Sequence, residues 1–100
     1  MTDTVRQSSD KRVIEAEEFV LVDSAGRQRA KLGFSEDGEP RLILIDAKDV
    51  PRVGVGFSGE TPKIVLFDQH GILRARVEAK YDEPHIEFWN ADGSLRWSAP

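Results

Sequence analysis

A set of residue columns that recurs about every 22 residues constrains this chain more than any other feature. Each unit has an Asp or Asn, a turn-forming residue three positions later and an Arg six positions later. The first column is Asp23, Asp46, Asp68 and Asn90. The second is Gly26, Asp49, Gly71 and Gly93, and the third is Arg29, Arg52, Arg74 and Arg96. Pro40, Pro62 and Pro84 close the first three units, so the sequence is a tandem repeat.

Within each unit, the residue pattern predicts a β-hairpin. The residues just before each Asp or Asn form a short run rich in β-branched and aromatic side chains, which is typical of a strand. The Asp then accepts a hydrogen bond from the amide two residues on, and a Gly at the fourth turn position adopts positive φ cheaply. The returning strand alternates, with Ala30, Leu32 and Phe34 on one side. We therefore predict an all-β fold of four tandem hairpins.

The first strand of each hairpin is apolar on both sides, which a single sheet cannot cover alone. Two architectures follow: an eight-stranded barrel within one chain, or a β-solenoid or prism-like homo-oligomer, with a trimer as the specific expectation. The second faces of these strands are the predicted oligomer interface. That interface consists of Val20, Val22, Ile43, Ile45, Val65, Phe67 and Trp89.

Composition narrows the classes of function. The net charge of −4 argues against nucleic acid and against an anionic membrane surface as partners. No apolar stretch has the length of a membrane span or the position of a signal peptide, which predicts a cytoplasmic protein. If the chain belongs to a larger one, an extracellular or virion surface is the alternative. Residues 1–12 are predicted to be a flexible tail, and 13–100 a single domain.

The sequence predicts no catalytic residues, no cofactor and no metal. Cysteine is absent, which removes thiolate chemistry. His70 and His85 share no motif, and a zinc site needs three or four ligands. The Asp column offers too few oxygens per turn for calcium, whereas capping of the turns explains it.

Three aromatic residues are candidates for contact with a ligand. Trp89, Trp97 and Tyr81 are of the type that stacks on sugars in lectins. For Trp97, the other interpretation is that it caps the open end of the repeat array.

The most complete unit, I64-V-L-F-D-Q-H-G-I-L-R-A-R-V, supports a resemblance. The chain resembles uncharacterised bacterial proteins made of such repeats and ending in W-S-A-P. More loosely, it is similar to β-repeat segments of phage tail fibres and bacterial surface fibres. The resemblance covers residues 13–100 and implies a repeat architecture without implying an activity. Asp49 and Val53 in the second unit depart from the pattern.

Together these features predict a non-enzymatic structural or protein-interaction module that self-associates. A lectin-like module that binds a carbohydrate or another small ligand is the alternative. The expected partner is a further copy of the chain, and the alternative partner is a glycan or a second protein.

Overall fold

The computed structural model describes the backbone of residues 4–8 and 11–100, and side chains from Arg12 onward. Ten strands account for the regular structure of this part, which confirms the all-β prediction. The strands are β1 Thr4–Ser8, β2 Lys11–Glu15, β3 Phe19–Val22, β4 Gln28–Phe34, β5 Pro40–Ile45, β6 Pro51–Ser58, β7 Thr61–Phe67, β8 Leu73–Lys80, β9 Glu83–Trp89 and β10 Leu95–Ala99.

Strands β3 to β10 form one antiparallel sheet in which each strand pairs with its neighbours in the chain. The order runs from β10 at one edge to β3 at the other, and these two edge strands do not pair. The sheet is therefore open, and the eight-stranded barrel predicted as one of two architectures is not formed. Local residue patterns specify each hairpin, but they do not specify closure of the sheet.

Strands β1 and β2 pair with each other in a separate two-stranded sheet. They occupy most of the segment that the sequence predicts to be a flexible tail. Residues 1–3 and 9–10 of that segment lie outside the described residues.

Two of the connections between units are very short. Ser58 pairs with Thr61, and Lys80 pairs with Glu83, so each turn contains only two residues. In the second of these turns both central residues have positive φ, 52° at Tyr81 and 63° at Asp82. Two-residue hairpin turns with positive φ at both positions normally carry Asn and Gly. Tyr81 and Asp82 are not of these types, so the residue types at this turn do not predict it.

Strand pairing places the apolar residues in two continuous rows on one side of the sheet. One row crosses all eight strands through Leu21, Ala30, Leu44, Val53, Leu66, Ala75, Phe88 and Trp97. The other contains Phe19, Leu32, Leu42, Val55, Ile64, Val77, Ile86 and Ala99. Cross-strand partners share a side of the sheet, so these rows form one surface, the apolar face. The opposite side, where charged residues alternate with apolar ones, is the mixed face.

In the described part of the chain, no second layer of secondary structure packs on this sheet. Among the described side chains, no hydrophobic residue is buried. Stable domains bury the apolar side of a sheet against another layer of secondary structure. The described residues of the single chain thus leave the apolar face uncovered.

Candidate interaction surfaces

The apolar face is the largest hydrophobic surface on the described part of the chain. Twelve of its large side chains are 39–63% exposed. They are Phe19, Leu21, Leu32, Phe34, Leu44, Val55, Phe57, Ile64, Leu66, Val77, Phe88 and Trp97. Together they offer roughly 1,000 Å² of apolar surface, whereas the largest patch on a typical monomer covers about 300–600 Å². A surface of this extent exceeds what monomers usually expose to water.

A shallow depression lies within the apolar face. It has a volume of about 430 Å³, and Phe57, Pro62 and Ile64 are among the side chains that line it. The lining also includes Lys63 and Glu78 but is mostly apolar, which suits a hydrophobic side chain.

The seven residues predicted from sequence as the oligomer interface lie on the mixed face. Ile43 and Val65 lie there in one row of cross-strand neighbours, with Gly54 between them and with Lys31 and Arg76 at the two ends of this group. Ile43, Ile45, Val65, Phe67 and Trp89 are half-buried, whereas Val20 and Val22 are exposed. The long charged side chains on this face cover part of the apolar surface beneath them. The mixed face thus presents far less continuous hydrophobic surface than the apolar face.

Arg76 shows how this covering works. Its guanidinium lies 5.2 Å from the centroid of the Trp89 ring, within the range of a cation–π contact. It also donates hydrogen bonds to the carboxylate of Glu87 on the neighbouring strand. Trp89 is therefore engaged within the chain.

The arginine column connects each hairpin to the next. The Nε of Arg29, Arg52 and Arg74 donates to the carbonyl oxygens of Ile45, Phe67 and Trp89, at 2.8–2.9 Å. Each acceptor is the last residue of the first strand in the following unit. The same guanidinium groups lie 3.3–3.6 Å from the carboxylates of Asp23, Asp46 and Asp68 in their own units. One residue type thus supports both its own turn and the junction between units.

The repeated turns share one set of backbone bonds. In the first turn, the Gly26 amide donates to the Asp23 carbonyl, and the Asp23 amide donates to the Arg27 carbonyl. The fourth turn residue has positive φ in all four cases, at Gly26, Asp49, Gly71 and Gly93. A hairpin turn followed by a left-handed residue that forms a bulge has this arrangement. Register shifts in the pairing of each of these hairpins mark the bulge.

The side chains of Asp23, Asp46 and Asp68 serve their own turns. Asp46 Oδ1 accepts from the amides of Lys48 and Val50 at 2.8 and 3.1 Å, and the other two make the equivalent bonds. The fourth turn differs, because there Asp92 accepts from the Ser94 amide and Asn90 donates to the Ser94 hydroxyl.

These bonds hold the carboxylates in the ionised form. The amides of Arg27 and Val50 lower the pKa of Asp23 and Asp46, respectively, below the ordinary value of 3.8. At Asp68 partial desolvation raises the pKa, but the amides of Ile72 and His70 outweigh it and the net pKa is lowered. At Glu87 partial desolvation also raises the pKa, but the hydrogen bonds and charges of Arg76 and His85 together outweigh it, and the net pKa is lowered.

These pKa shifts predict that acid destabilises the fold. A carboxyl group whose pKa is lowered by folding stabilises the protein above its unfolded pKa and loses this effect as the pH falls through its folded pKa. Thermal unfolding should thus occur at lower temperature as the pH drops below about 4.5. Asp68→Asn should lower the unfolding temperature at pH 7. It should also make the further fall of the unfolding temperature in acid smaller than in the wild type. A midpoint that is constant or rises on acidification would contradict this account.

The structure does not bring the three candidate ligand-binding aromatics together. Trp97 lies on the apolar face and stacks on Phe88 at a centroid distance of 5.3 Å, whereas Trp89 lies on the mixed face. Tyr81 is 88% exposed, in the turn at the other end of β9. The three rings therefore do not form one sugar-binding platform within the single chain.

Acidic residues and histidines are also dispersed over the described residues, where no group of three or more could hold a metal ion. His85 Nε2 lies 3.4 Å from Glu87, and His70 lies in an exposed turn. No helix in the described part has the length and hydrophobicity to cross a membrane.

The chain matches no protein-family model and no curated protein.

The contact from each arginine to the following unit was not predicted. The sequence shows the arginine column, and pairing with the Asp of the same unit accounts for it locally. The acceptor is a backbone carbonyl, which leaves no trace in the residue types. Only the recurrence of Arg at one position of every unit hinted at a role in the repeat itself.

Proposed function

We propose that this chain is a self-associating structural module whose copies cover one another's apolar faces. The observation that carries the proposal is a continuous apolar face on a sheet with no buried hydrophobic side chain among the described residues. Leaving about 1,000 Å² of apolar surface in water forfeits the main favourable term in folding. A standard protein interface buries about 800 Å² on each partner, so this face is large enough for a stable contact.

A second copy is the occupant that best fits the face. The face is eight strands wide and apolar over its whole width, which matches another sheet better than a small ligand. Two sheets that pack face to face form a sandwich about 10 Å thick whose inner side chains interdigitate.

The number of copies follows from the width of the sheet. Eight strands span about 38 Å, and a triangular prism with sides of that width places each face about 11 Å from its axis. Side chains from three such sheets would leave a space at the axis. Two copies leave no such space, so we favour a dimer over the trimer that the sequence predicted.

The test adds charge to each side of the same strand in turn. Leu42→Glu with Leu44→Glu charges the apolar face, and Ile43→Glu with Ile45→Glu charges the mixed face. Light scattering then shows which pair of substitutions releases single chains. The proposal requires that the variant with Leu42→Glu and Leu44→Glu releases single chains. If this variant keeps the solution mass of the wild type, the result counts against the proposal.

A lectin-like role finds less support in the geometry. Tyr81, with Lys80 Nζ 5.7 Å from its ring centroid, is the most exposed of the three candidate aromatics. It lies beside a shallow depression that Glu83, His85 and Pro100 also line. A single ring with these polar neighbours does not select a carbohydrate, so self-association remains the stronger proposal.

A further inference from the structure

The two edges of the eight-stranded sheet are complementary to each other. In the described part of the chain, β3 and β10 each pair on one side only. Neither strand contains proline, and β3 has no charged residue. Natural edge strands usually carry prolines or charged residues, which prevent pairing with another chain. These edges are therefore available for pairing.

The repeat defines the register in which they would pair. At each junction between units, the residue one position after the Arg pairs with the residue two positions before the next Asp or Asn. These pairs are Ala30 with Leu44, Val53 with Leu66, and Ala75 with Phe88. The corresponding residues at the sheet edges are Trp97 and Leu21. The next apolar pair along the same strands would be Ala99 with Phe19, as it is for Leu32 with Leu42.

The arginine column points to the same match. Arg96 is the only member of the column without a hydrogen bond or ion pair among the described residues, because its unit has Asn90 in place of Asp. The acceptor that would correspond to Ile45, Phe67 and Trp89 is the Val22 carbonyl, at the end of β3 on the opposite edge. Both the unused donor and this acceptor position thus lie at the open ends of the array.

We propose that β10 of one copy pairs antiparallel with β3 of a second copy, in the register that continues the repeat, with Arg96 donating to the Val22 carbonyl. This inference rests on the proposed self-association and specifies its geometry. Because the strands alternate in direction across the sheet, a rotation about an axis parallel to the strands brings the two edges together antiparallel. With two copies, this rotation pairs both edges and turns both apolar faces inward. This single arrangement therefore pairs both sheet edges and covers both apolar faces.

Cysteine cross-linking tests the register directly, since the chain contains no cysteine of its own. Phe19→Cys and Ala99→Cys would occupy paired positions of the kind whose Cα atoms lie about 4.5–5.5 Å apart, within reach of a disulfide. Within one chain the same positions lie on opposite edges, about 34 Å apart. The two single variants are mixed, allowed to exchange subunits and oxidised mildly. We expect a mixed covalent dimer as the main product.

The control replaces Phe19→Cys by Val20→Cys, whose side chain lies on the mixed face. The first mixture should give a roughly tenfold higher yield of mixed dimer than the control, since disulfide geometry is restrictive. Leu21→Cys with Trp97→Cys, the other predicted pair, serves as a second test if Phe19→Cys does not fold. Arg96→Ala should weaken association although it removes no bond in the single chain.

Light scattering on the same samples separates this inference from the proposed function. Equal yields in the two mixtures, with variants that still associate, would overturn the edge pairing and leave self-association standing. If the variants and the wild type were all single chains, both the edge pairing and the proposed self-association would be overturned. In a double variant that carries both Phe19→Cys and Ala99→Cys, a disulfide within a single chain would also overturn the inference, because it would mean that the sheet closes on itself.

Discussion

Leu42→Glu with Leu44→Glu is expected to abolish self-association. Both residues lie on the apolar face of β5, in the two rows that cross the whole sheet. Inside an assembly the two carboxylates would be buried without partners, which costs several kcal/mol for each ion. Since every 1.4 kcal/mol corresponds to a tenfold change in affinity, the dissociation constant should rise by more than about 100-fold. Light scattering should show single chains, and circular dichroism should show whether these chains are folded or unfolded.

The matched control lies on the same strand. Ile43→Glu with Ile45→Glu adds the same charge to the mixed face, where Lys31 is the cross-strand neighbour of Ile43 and the Arg29 guanidinium binds the Ile45 carbonyl. These cations can pair with the new carboxylates in solvent, so the assembly should persist. Release of single chains by this pair alone would instead support the interface predicted from sequence and contradict ours.

Gly56→Ala is expected to destabilise the fold by about 1–3 kcal/mol, the usual cost of overpacking. A Cβ atom on Gly56 would lie 2.8 Å from the Pro40 carbonyl oxygen and 3.3 Å from the Cα of Arg41. Both of these are backbone atoms of the paired strand β5, so they can move only if the sheet distorts. Urea unfolding at a fixed protein concentration measures the change.

Gly33 provides the control, because it occupies the same position in the first unit. A Cβ atom there would meet the Glu18 side chain at 3.5 Å, an ordinary contact. Gly33→Ala should be neutral, or stabilising by up to about 1 kcal/mol, since glycine weakens a strand interior. Equal losses at the two glycines would refute the steric explanation.

Much of the local structure could be predicted from the residues. Short apolar runs before Asp23, Asp46, Asp68 and Asn90 form the first strands, and these residues begin the turns as their side chains require. Local chemistry determines these features, because a turn needs only a few neighbouring residues to form.

Features that depend on the whole sheet could not be predicted. The sequence shows that the first strands are apolar on both sides, but it does not show that charged side chains such as Arg76 cover the second side. Whether a run of hairpins closes depends on accumulated twist and on what the faces meet, and neither is encoded in one unit.

The two-residue turn at Tyr81 and Asp82 illustrates a different limit. Positive φ is unfavourable for a bulky residue such as tyrosine. Residue preference thus argued against the turn that forms, and the pairing of β8 with β9 determines it. Strand register here overrides the local preference.

The solution mass of the intact wild-type chain tests the central claim most directly. One chain has a mass of 11.2 kDa. Light scattering at micromolar concentration should give the mass of two chains, twice 11.2 kDa. Dilution below micromolar concentration should convert this dimer to single chains. A folded species of 11.2 kDa at all accessible concentrations would show that the apolar face is tolerated in water, and would contradict self-association.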